Sequence, residues 1–96
     1  MKFSNVVRMQ PKEGEFDNVV AIASEPMDAE GILQNIIIKT SDKTLCFIGV
    51  WESEEHIAKA RPKMIAQLDK VRDKLEVLSE ELGVTDPVSG PIIFEH

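Results

Sequence analysis

The stretch "ILQNIIIKTSDKTLCFIGVW" runs from Ile32 to Trp51. Its two halves, Ile32–Thr40 and Thr44–Trp51, are rich in β-branched and aromatic residues and read as strands. Ser41, Asp42 and Lys43 form a short hairpin between them. An antiparallel strand with one wet face alternates apolar and polar side chains. These two strands do not. In the second, Cys46, Ile48 and Val50 fall on one face, and Leu45, Phe47, Gly49 and Trp51 on the other. In the first, Leu33, Asn35 and Ile37 oppose Ile32, Gln34, Ile36 and Ile38. Both faces of the hairpin need cover.

Upstream, residues 2–9 read as a first strand and Pro11–Gly14 as a turn. Glu15–Ser24 places Phe16, Val19, Val20 and Ala23 at helical spacing, and Glu25–Gly31 is a loop. Downstream of Trp51, Ser53 is an N-cap, with Glu54 and Glu55 at the positive end of a helix dipole. Pro62 either opens a second helix or kinks a continuous one. Met64, Ile65, Leu68, Val71, Leu75, Leu78 and Leu82 then predict one long helix from Pro62 to Leu82, stopped by Gly83. Val84–Pro91 reads as a stiff loop, and Ile92–Glu95 as the last strand. The order is β-α-β-β-α-β, an α+β ferredoxin-like arrangement. It predicts an antiparallel sheet with both helices on one face, in a single domain over residues 1–96. Two helices cover one sheet face only. A second copy packed sheet to sheet is the economical cover for the other, so a homodimer is expected.

Composition narrows the function. Hydrophobic residues make up 43% of the chain, too many for a disordered one. No apolar run approaches the roughly 18 residues of a membrane span, and "MKFSNVVRMQ" lacks the apolar centre of a secretory signal. Cys46 is the single cysteine, so the sequence offers neither a disulfide framework nor a cysteine cluster for a metal, and a reducing cytoplasm is the expected compartment. A net charge of -6 argues against nonspecific nucleic-acid binding. The lysines of the second helix (Lys59, Lys63, Lys70 and Lys74) carry no interleaved aromatic and are flanked by acids.

The element order, the two-faced sheet and the "VWESEE" corner at Val50–Glu55 resemble the antibiotic biosynthesis monooxygenase-like family of dimeric α/β-barrel proteins. Many members end a strand in Trp, followed by an acidic or polar residue and a Ser that opens a helix. Trp51, Glu52 and Ser53 match that corner. The segment "GVTDPVSGP" (Gly83–Pro91) is also similar to bacterial members. The resemblance implies a homodimer with a cavity between sheet and helices. It implies oxygenation of polycyclic phenols or quinols without a cofactor; other members degrade haem, and some have no demonstrated activity. The haem-degrading pattern is absent: its second Trp and its His would fall on Ala60 and Lys70, and Val7 takes the place of its first-strand Asn. The chain has no Tyr, which excludes a tyrosine proton relay.

Six residues are candidates for chemistry on such a scaffold. His56 is the candidate general base, and Asn5 a candidate catalytic amide that hydrogen-bonds a phenol oxygen or dioxygen. Trp51, Asn35, Arg61 and Arg72 are candidates for substrate binding, the first by stacking and the arginines by orienting an anion. Each has a structural alternative. Trp51 can be a strand-end core aromatic, His56 an idle surface residue, the amides satisfied interior groups, and the arginines ion-pair partners. The expected function is cofactor-independent oxygenation, or binding, of a small hydrophobic aromatic molecule. A noncatalytic homodimer of the same fold is the alternative, and a proton-transfer enzyme a third reading.

Overall fold

The structure, a computed structural model, describes residues 1–96. Its elements are β1 (Phe3–Met9), α1 (Phe16–Ala23), β2 (Ile32–Lys39), β3 (Leu45–Trp51), α2 (Glu54–Asp69) and β4 (Asp86–Pro91), with a single 3-10 turn at Arg72–Lys74. The strands form one antiparallel sheet in the order β2-β3-β1-β4. This is the expected β-α-β-β-α-β ferredoxin-like arrangement.

The hairpin forms as its sequence dictates. Ser41 Oγ accepts from the backbone N–H groups of Lys43 and Thr44, both at 3.1 Å, which closes the turn. The helix-facing side of the sheet carries Leu45 and Trp51 of β3 and Phe3 and Met9 of β1, all buried. The core has two parts. Phe3, Ala29, Trp51, Ile57 and Ala60 pack at one end, and Met9, Val19, Leu45, Val71 and Leu75 at the other. On β2 the alternation slips at Leu33, where a bulge separates the pairs Ile32–Trp51 and Gln34–Val50. Ile32 therefore turns to the helix side, against the Trp51 cluster, rather than sharing a face with Gln34, Ile36 and Ile38.

The corner after β3 is held from two directions. Ser53 is the N-cap of α2, its Oγ accepting from the His56 backbone N–H at 3.3 Å. The Gly31 carbonyl accepts from the Glu52 N–H at 2.8 Å. Gly31 has φ +85°, and a Cβ there would run into the His56 imidazole. Gly31→Ala therefore combines left-handed strain with a collision. It is expected to cost about 1–3 kcal/mol, read as a lower midpoint in urea unfolding with an unchanged m-value.

Three expectations are corrected. The long helix ends at Asp69 instead of reaching Leu82. Pro62 lies within α2 without dividing it; both it and Ala58, whose carbonyl loses its helical partner, are exposed. Beyond α2 the backbone changes partner. Glu76 N–H donates to Gln10 O at 2.7 Å and Lys12 N–H to Lys74 O at 2.8 Å, so the chain pairs with the extension of β1. That pairing buries Leu75 beside Met9 and Leu45, a gain that outweighs helix propensity in this acidic, leucine-rich run. Gly83 (φ +72°) closes a tight turn with Ser79 rather than capping a helix.

The last strand is Asp86–Pro91, inside the segment read as a loop, and not Ile92–Glu95. Pro87, Ser89 and Pro91 share one parity along an edge strand, so the nitrogens of both prolines can point away from β1. Past Pro91, which pairs with Phe3, the sheet offers only one more bond, Ile92 N–H to Lys2 O. The following Ile93 and Phe94 are exposed.

Candidate functional site

A cavity of about 570 Å³ lies between the helix-facing side of the sheet and α2. Eleven of its 20 lining residues are hydrophobic, so its wall is mainly apolar. Met64, Ile65 and Leu68 of α2 form the roof, opposite Phe47 and Val7 of the sheet. The α1–β2 connection closes one side. Three side chains on α2 and its C-cap strap this connection and the end of α1: Lys63 donates to Asp28 O, Gln67 to Ile22 O of α1 at 2.8 Å, and the C-cap residue Lys70 pairs with Glu25 at 3.1 Å.

The register places one polar row across this floor. Asn35 pairs with Gly49, Gly49 with Asn5, and Asn5 with Ser89. All four line the cavity. Neighbouring Cα atoms along such a row are about 4.5–5.5 Å apart, so the row spans the width of the sheet. The rows on either side are apolar: Ile37, Phe47, Val7 and Pro87 on one, Ile32, Trp51, Phe3 and Pro91 on the other.

Of the six candidate residues, Asn5, Asn35 and Arg61 line this cavity. Trp51 lies beneath it, 1% exposed, and its Nε1–H donates to Asn5 Oδ1 at 2.8 Å. His56 sits at the strand-to-helix corner. Its Nδ1 shares a 2.6 Å hydrogen bond with Ser53 Oγ, and its Nε2 lies 3.6 Å from Glu52 Oε2. Its ring packs against Gly31 outside the cavity wall, so the structure does not bring this imidazole to the polar row. Arg72 falls on the 3-10 turn, where it pairs with Asp69 at 3.1 Å. The break after α2 removes the shared helix side that would have joined it to Arg61.

Sequence reading missed Ser89, because it took its segment for a loop, and Gly49, because a glycine in a strand carries no side-chain signal. A Cβ on Gly49 would collide with Asn5 Oδ1 and lie 2.9 Å from Trp51 Nε1, so the bare backbone there makes room for the Asn5–Trp51 bond. The ionisable groups of the lining are Glu25, already paired with Lys70, and Arg61.

Fold and cavity together define a ferredoxin-like α+β domain with a hollow between its two layers. Among solved structures it has the fold of the antibiotic biosynthesis monooxygenases. A candidate enzyme of that name from Chloroflexus aurantiacus matches with a TM-score of 0.76 at 17% identity, over 100% of this chain and 97% of that one. A monooxygenase of Streptomyces coelicolor in complex with nanaomycin D matches at 0.75 and 15%, over 98% and 89%. A dimeric ferredoxin-like protein from an uncultured marine organism matches at 0.72 and 14%, over 99% and 90%. At these identities the likeness is one of fold. No protein-family model and no curated protein sequence matches the chain.

Proposed function

We propose that this protein is a homodimer that binds a small, planar, hydrophobic aromatic molecule of the phenol or quinol type between its sheet and α2, and oxygenates it without a bound cofactor. The observation that carries this reading is the apolar hollow crossed by a single polar row. A flat ring system fits between Phe47 and Met64, and its oxygens meet Asn5, Asn35 and Ser89. Arg61 supplies the positive charge that favours the substrate as an anion.

The reaction draws its electrons from the substrate. In a polycyclic phenol reacting as its keto tautomer, the CH₂ carbon becomes a carbonyl. One atom of dioxygen forms the new C=O bond, and the other leaves as water with both hydrogens of that carbon. The protein contributes a mainly apolar hollow, the Asn5 and Asn35 amides and the Arg61 charge.

The homodimer reading rests on the opposite sheet face. Val6, Ile36, Ile38, Ile48 and Val50 lie there on the side away from both helices, Ile38 exposed and the others half-buried. One of the fold neighbours is itself dimeric.

Oxygen uptake with anthrone, corrected for its spontaneous oxidation, tests the activity. Wild type is expected to consume one O₂ per anthrone, and Asn5→Leu to lose about 10- to 100-fold in rate. Anthrone that quenches Trp51 fluorescence without oxygen uptake would assign the protein as a noncatalytic binder. One observation favours that second reading: Glu25, the lining's carboxylate, is engaged by Lys70, so no free base faces the row.

A further inference from the structure

Asn5 is the one member of the polar row whose side chain is oriented by the protein. Its Oδ1 accepts the Trp51 indole N–H at 2.8 Å. Indole N–H is a donor only, so the amide cannot turn over without setting two donors against each other. Trp51 is fixed in turn by the core, being 1% exposed among Phe3, Ile57 and Ala60. Gly49 leaves the space this bond occupies. The Asn5 Nδ2 group has no hydrogen-bond partner in the protein. No buried side-chain nitrogen or oxygen lacks one, so Nδ2 is open to the cavity. Asn35 and Ser89 have no such tether, and each can present a donor or an acceptor.

We propose that the Asn5–Trp51 pair makes the cavity selective for ligands presenting a hydrogen-bond acceptor, a carbonyl or phenolate oxygen, to Asn5 Nδ2, with Trp51 acting as the positioning residue. This inference rests on the proposed ligand cavity and names which end of the ligand is read. A carbonyl or phenolate oxygen on an aromatic ring accepts from Nδ2. An N–H donor at the same place meets two N–H hydrogens and is repelled. The ring body lies under Met64 and Leu68, where only shape and apolar contact are read.

Three tricyclic probes of nearly one shape separate the possibilities: 9-fluorenone offers a carbonyl acceptor, carbazole an N–H donor, and fluorene neither. Their affinities are measured by titration calorimetry against wild type, Asn5→Leu and Trp51→Phe. Wild type is expected to bind fluorenone about tenfold more tightly than fluorene, the size of one good hydrogen bond, and carbazole no better than fluorene. Asn5→Leu should abolish the fluorenone advantage, so that fluorenone and fluorene bind this variant with equal affinity. Trp51→Phe keeps an aromatic in the core but frees the amide to turn, so the fluorenone-to-carbazole ratio should fall towards one while fluorene binding holds. A merely structural role for Trp51 would lower all three affinities together. The Asn5 side-chain amide resonances should shift with fluorenone and not with fluorene, a readout that does not depend on any variant folding.

Equal affinities for the three probes, or carbazole binding tightest, would overturn the inference while leaving the ligand cavity standing. Failure of all three probes to bind would overturn the cavity reading and this inference with it.

Discussion

Aspartate in place of Ile48 is expected to turn a particle of twice the chain mass into one of 10.8 kDa in sedimentation equilibrium. Ile48 sits mid-strand on β3, paired with Val6 of β1 and Ile36 of β2. Those three branched residues form a continuous apolar row on the face that neither helix covers. On a solvated face the substitution would be nearly neutral. In a sheet-to-sheet interface it places an unpaired carboxylate on each subunit in a dry layer, close to its symmetry mate. The effective cost is several kcal/mol per ion, so the dimer dissociation constant should rise at least about 100-fold. The variant should also unfold at lower denaturant, because the isolated subunit buries little: 13 of 96 residues are buried. A wild-type chain that sediments at 10.8 kDa at micromolar concentration would remove the homodimer from the proposal.

The second large effect is expected from Trp51→Ala. Trp51 has the largest side chain among the fully buried residues, and it joins Phe3 on β1 to Ile57 and Ala60 on α2. Removing an indole from such a site costs about 3–5 kcal/mol. For a domain of this size that corresponds to a fall in Tm of about 15 °C or more. Far-UV circular dichroism is the right probe, because the variant has no tryptophan left to report fluorescence. Trp51→Phe should lose much less, since it removes one hydrogen bond and part of the ring. The contrast separates the stability that Trp51 gives the core from the orientation it gives Asn5. A melting point within a few degrees of wild type for the alanine variant would contradict the close packing around the indole.

Much of this architecture was legible in the chain. The hairpin was readable because β-branched density and a Ser-Asp-Lys turn are local signals. The N-cap at Ser53 was readable because capping depends on neighbours within one turn. The site was legible only in part. Asn5 and Asn35 stood out as amides in apolar strands, and the structure places them on either side of Gly49. Ser89 and Gly49 did not stand out, since their roles come from the strands beside them. His56 invited a catalytic reading by residue type alone, whereas its position ties it to Ser53 and Gly31.

The sequence alone determined which segments could form a hairpin, where α2 begins, and that the sheet has two apolar faces, because each of these follows from residue spacing within a few positions. Only the tertiary structure decided where α2 ends, which residues make the fourth strand, and which polar groups meet. Helix and strand compete closely from Val71 to Pro91. The winner there is set by partners far along the chain: Gln10 and Lys12 capture the backbone around Leu75, and β1 captures Asp86–Pro91 as an edge on which two prolines cost no hydrogen bond.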